Sequence, residues 1–125
     1  MAALLHDAPE AYVGDLISPI KGAMPEFRRI EARVERAIER RFNFTATYDE
    51  AVLIKRADIF MAWIEGKNLL NNSALVNEWN LPTDIEHRFD EAKATSHLYC
   101  LSPKEAKEQF YITFRSLMRE RRAMQ

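Results

Sequence analysis

His6 and Asp7 stand side by side in this chain, and Glu10 follows three residues later. The pair offers one neutral nitrogen and one anionic oxygen to the same divalent ion, a donor set that suits Mn, Fe, Co, Zn or Mg. Any helical continuation puts Asp7 and Glu10 on one face, so one acid can hold a metal while the other handles protons. That division of labour suggests metal-assisted hydrolysis. Asp58 is the second clue, a carboxylate inside an apolar segment, where burial is costly unless the group is paired, protonated or bound to a cation. Lys55, three residues back on the same helical face, is one partner for it, and a metal ion is the other. On the residues alone both readings stay open.

The elements that must position these groups read as helices. Residues 1–13 look like the end of a helix followed by a loose turn, with Pro9 tolerated at a helix start but not in an interior. Residues 14–25 read as a loop punctuated by Gly14, Pro19, Gly22 and Pro25. Pro25 suits the first turn of a helix running to about residue 42, where Phe27, Ile30, Val34, Ala37, Ile38 and Phe42 make one apolar stripe. Its other face holds six arginines and four glutamates, including the like-charge row Glu31, Glu35 and Glu39, and is expected to be solvated. Opposite charges meet at three-residue steps in Glu26–Arg29, Arg28–Glu31 and Arg36–Glu39.

Thr47 and Glu50 match a capping box that opens a helix over residues 48–71, apolar on nearly every side and so expected in a core. Asn71-Asn72-Ser73 breaks the pattern, and residues 84–94 suggest a further helix. Ser102-Pro103-Lys104-Glu105 combines a capping box with proline at the first helical position, ahead of a last helix carrying Ala106, Phe110, Phe114 and Leu117 on one side. No strand alternation, repeat or low-complexity tract appears, so the predicted fold class is all-α.

Size and composition agree. The 125 residues suffice for one domain, with 47% apolar and 30% charged residues and only 3 glycines and 5 prolines. A formal net charge of −1 gives no global basic field to draw a nucleic acid polymer or an anionic membrane. No apolar run approaches the roughly 20 residues that span a bilayer. The stretch Met1 to Leu5 lacks the basic flank of a signal peptide. Cys100, the single cysteine, cannot form an internal disulfide, which fits a reducing cytoplasm.

Leu4-Leu5-His6-Asp7, Glu10, Gly14-Asp15-Leu16, Pro19 and Lys21 together resemble the HD-domain phosphohydrolases, and most closely their 5'-deoxynucleotidase branch. Lys55-Arg56-Ala57-Asp58 resembles the closing aspartate motif of that family, so the likeness covers residues 2–70. The resemblance implies a helical bundle that hydrolyses (deoxy)nucleoside 5'-monophosphates with a divalent metal held by His6, Asp7 and Asp58. It implies that Glu10 positions or deprotonates the attacking water, that Asp15 is a second acid near the substrate, and that Lys21 contacts phosphate. Two sibling activities fit less well. Guanosine tetraphosphate hydrolases carry adjacent Glu and Asp after the motif, whereas Ala11 follows Glu10 here; dNTP hydrolases place a further histidine soon after the pair, and residues 8–20 contain none. A silent metal- or nucleotide-binding regulator is the alternative, and a helical interaction module with an accidental His-Asp pair is a third.

The resemblance also implies one more histidine ligand on a helix upstream of His6, where this chain has five residues. We therefore expect a missing front segment, a weakened metal site, and bared apolar faces on residues 1–13 and 48–71 that favour a homo-oligomer, most simply a dimer. His87 and His97 are expected to be surface or polar-capping residues rather than substitute ligands.

Overall fold

The computed structural model describes residues 1–70, 85 and 88–123. Every regular element among them is helical, as the patterning predicts. A 3-10 turn at Ala3–Leu5 is followed by α1 (Glu10–Val13), α2 (Ser18–Ala23), α3 (Pro25–Phe42), α4 (Tyr48–Leu69), α5 (Glu91–Ser96) and α6 (Pro103–Ala123). Contacts divide the chain into two units, Met1–Thr47 and Tyr48–Gln125. No described helix is long and apolar enough to cross a membrane.

In the first unit α1 and α2 both pack on α3. Leu5, Pro9 and Ile38 are buried there. Gly14 ends α1 at φ +80°, ψ 160°, a region that essentially only glycine occupies, and its N–H donates to the Glu10 carbonyl. The predicted loop over residues 14–25 is in part a helix. Proline at the first turn of α2 costs no hydrogen bond, because that N–H has no intrahelical partner, and the Ile17 carbonyl accepts from both Ile20 and Lys21. The end of α3 falls at Asn43, which takes the left-handed conformation (φ 51°, ψ 51°) that short polar side chains tolerate. Along α3 runs an open groove of about 1070 Å³, lined by Ile30, Val34 and Ile38 together with Arg33, Arg36 and Arg40. None of the predicted site residues lines it.

The second unit centres on Phe60, Ile64 and Ile85, with Trp63, Phe89, Ala94 and Leu98 packed around them. Burying a side chain such as Ile64 contributes about 1.5–3 kcal/mol, and the stacked Phe60 and Phe89 rings sit 5.1 Å apart. Lys67 joins α4 to α5 through an ion pair with Glu91 and lies 4.7 Å from the Trp63 ring centroid. The apolar circumference of α4 is covered in part: Leu53, Ile59 and Leu69 are exposed. Of the helix expected over 84–94, residues 84, 86 and 87 lie outside the described residues, Ile85 is helical, and α5 starts afresh at Glu91. Asp90 is extended at the N-cap, where its carboxylate accepts from the Lys93 N–H, a local bond that competes with helix continuation. At the other end of α5, His97 Nδ1 lies 2.8 Å from the Lys93 carbonyl, a polar capping role as expected. His87 lies outside the described residues. The capping box of α6 is formed: Ser102 N–H and Oγ–H both donate to Glu105, at 2.8 and 2.6 Å.

Candidate metal centre

His6 sits just after the 3-10 turn, which places its ring against that turn's backbone. Nδ1 is 2.9 Å from the Ala3 carbonyl oxygen. A carbonyl only accepts, so Nδ1 carries a proton. Nε2 is 3.0 Å from Asp7 Oδ2. With Nδ1 occupied, two arrangements are stable: a doubly protonated imidazolium paired with the carboxylate, or a bare Nε2 lone pair and a carboxylate oxygen sharing a cation. The second is the arrangement of metal-binding histidines, whose other ring nitrogen donates to a backbone carbonyl. Two donors 3.0 Å apart also match the spacing of neighbouring ligands each about 2.1 Å from one ion. The residues present therefore fit a divalent metal. Both side chains are open to solvent, so ligands from outside the pair can reach the ion.

Glu10 begins α1, its N–H donating to the Asp7 carbonyl, and its side chain is about a quarter exposed. Burial pushes its carboxyl above the ordinary carboxylate range, the negative charges of Asp7 and Asp15 push it further, and Lys21 opposes them. A glutamate displaced toward neutrality is suited to exchanging protons with water. Asp15 follows the Gly14 turn and acts electrostatically on both Glu10 and Lys21.

Lys21, the expected phosphate contact, faces two carboxylates. Its ammonium lies 2.8 Å from Glu31 Oε1 and 3.6 Å from Glu10 Oε1. The hydrogen bond that Lys21 donates to Glu31 holds its ammonium above the ordinary lysine value, with Glu10 and Asp15 acting the same way against partial desolvation. Glu31 is the partner of Lys21 that helical spacing does not reveal. It was placed in the row with Glu35 and Glu39 and paired with Arg28 on helical spacing, which carries no signal for a partner ten residues away on another helix. Of the pairs predicted on α3, Glu26–Arg29 is formed.

Asp58 belongs to the second unit. Its Oδ2 lies 2.6 Å from Lys55 Nζ, so the ion pair read from the sequence is present. The side chain is 34% exposed, which removes the premise of deep burial. The first unit thus gathers His6, Asp7, Glu10, Asp15 and Lys21, and Asp58 stands in the other unit.

With this geometry in view, comparison with known proteins adds a class. No family profile and no solved structure matches the chain. The chain is 34% identical over 82 residues to a 5'-deoxynucleotidase of Vibrio cholerae, a stretch covering 52% of this chain and 42% of that protein. It is 33% identical over 67 residues to the uncharacterized protein YfdR of Escherichia coli (54% and 36% covered). It is 36% identical over 72 residues to the uncharacterized protein RCAP_rcc00048 of Rhodobacter capsulatus (55% and 37%). The chain spans less than half the length of these relatives. One of the three carries a named activity, and it is a nucleotidase.

Proposed function

We propose that this chain carries the metal-binding and proton-handling residues of a nucleotide phosphohydrolase of the HD type, acting on (deoxy)nucleoside 5'-monophosphates. The observation that carries the reading is the His6 ring, fixed by Ala3 through one nitrogen and turned to the Asp7 carboxylate through the other. The partial likeness to a 5'-deoxynucleotidase supports the substrate class. In this reading His6, Asp7 and Asp58 hold the divalent ion. A bound ion would acidify a water molecule and neutralise phosphate oxygen charge. Glu10 takes the proton of the attacking water, a step worth about 10²–10⁴ in rate. Burial, then Asp7 and Asp15, keep the Glu10 carboxyl high, ready to return that proton to the departing hydroxyl.

A regulator that binds metal or nucleotide without turnover is the second reading, favoured by the Lys55–Asp58 pair that already engages the third ligand. Manganese binding followed by electron paramagnetic resonance, with hydrolysis of nucleoside monophosphates, tests both. Asp58→Asn is expected to weaken manganese at least tenfold and remove turnover, while Lys55→Met spares both. Binding without turnover in the wild type selects the regulator. Unchanged manganese affinity in both His6→Ala and Asp7→Asn overturns the metal reading altogether.

A further inference from the structure

We propose that Glu31 is a positioning residue: it holds the Lys21 ammonium against Glu10, so that Lys21 orients and charge-balances the acid–base glutamate instead of gripping phosphate. The inference rests on the reading of Glu10 as the proton-handling group. Three helices meet in it, with Glu10 on α1, Lys21 in the last turn of α2 and Glu31 on α3. The 2.8 Å contact to Glu31 is a hydrogen-bonded ion pair, whereas the 3.6 Å contact to Glu10 is an ion pair beyond hydrogen-bond reach. Glu31 therefore fixes the lysine, and Glu10 feels its charge. The Phe27 ring, 5.9 Å from the ammonium, flanks the same cation.

The charge balance argues against a phosphate grip. Two carboxylates share one ammonium, so the trio is net negative and repels a phosphate dianion. A phosphate at Lys21 would compete with Glu31, whose side chain is only 22% exposed and depends on this cation. Lysine suits the fixed role, since its ammonium is a compact charge that can donate to Glu31 while its field reaches Glu10. Burial raises the proton affinity of Glu10 most, Asp7 and Asp15 add to it, and Lys21 restrains it. Neither of these two contacts of the Lys21 ammonium is to His6 or Asp7, so loosening it acts first on Glu10 and Glu31.

The experiment has one arm without turnover. In the metal-free full chain, the Glu10 side-chain carboxyl is titrated by carbon-13 resonance in wild type, Lys21→Met, Glu31→Gln and the double variant. Lys21→Met is expected to raise the Glu10 midpoint in the wild-type background, and by less than half as much in the Glu31→Gln background. An equal rise in both backgrounds overturns the positioning role. In the manganese-loaded chain, Lys21→Met and Glu31→Gln should each lower kcat about tenfold, with KM and inhibition by inorganic phosphate unchanged within twofold. The double variant should be no slower than Lys21→Met. Tenfold weaker phosphate inhibition in Lys21→Met restores the phosphate grip and sinks the proposal. A wild type with neither manganese affinity nor turnover defeats the hydrolase reading, and the titration arm still decides whether Glu31 places Lys21.

Discussion

Glu10 and Glu105 are both glutamates in the first turn of a helix, and their surroundings send them in opposite directions. At the start of α1, partial burial and two neighbouring carboxylates drive Glu10 up. At the start of α6, a fully exposed Glu105 accepts from the Ser102 hydroxyl and N–H and is driven down. Hydrogen bonds to the ionised form make Glu105 a cap, and desolvation shifts Glu10 toward its neutral form. The linkage to stability differs accordingly. Glu105, with its folded value lowered, adds stability above its ordinary value, and this is lost as pH falls through the folded one. Glu10, with its folded value raised, favours folding in its protonated form, and that contribution disappears as pH rises through the folded value.

The largest expected effect separates the two sites by activity. Glu10→Gln should lower kcat for nucleoside monophosphate hydrolysis by about 10²–10⁴ and leave manganese affinity intact; Glu105→Gln should leave kcat unchanged. Equal losses in steady-state assays would erase the distinction. Next comes the turn behind Glu10. Gly14→Ala meets no atom within 4 Å of the new Cβ, so its cost is backbone strain alone, about 1–3 kcal/mol in urea unfolding. Smaller is Ser102→Ala, which removes the N-cap hydroxyl of α6 at about 1 kcal/mol. Its cost should shrink in acid, where Glu105 no longer accepts, and a cost independent of pH would break the pairing of Ser102 with Glu105. The least effect belongs to Glu35, raised first by partial burial and then by Glu39 and Glu31. Glu35→Gln should stabilise by about 0.2–0.5 kcal/mol at neutral pH, the scale of one like-charge pair, with the gain vanishing below the ordinary glutamate value of 4.5. Melting temperatures at pH 7 and pH 4 check the sign.

What the sequence made legible was whatever depends on neighbours along the chain. The extents of α3 and α4, the α6 cap and the pairs Glu26–Arg29 and Lys55–Asp58 all follow from spacing within one helix. The helix at Ser18–Ala23 was hidden because Pro19 and Gly22 read as breakers, although proline at a first turn is pre-set for a helix. Apolarity around α4 overstated its burial, since periodicity counts residue types and not the surfaces that cover them. The candidate centre was legible as far as His6, Asp7, Glu10 and Asp15, which lie within ten residues. Glu31 was not, because its role is set by how α2 and α3 pack.

Cys100 is exposed and carries a free thiol. In air, two copies of the chain can become joined through it by a covalent cross-link that owes nothing to the fit of their apolar faces. A reductant-sensitive doublet on a gel would register sulfur chemistry, and association that survives reductant or Cys100→Ser would register surface complementarity.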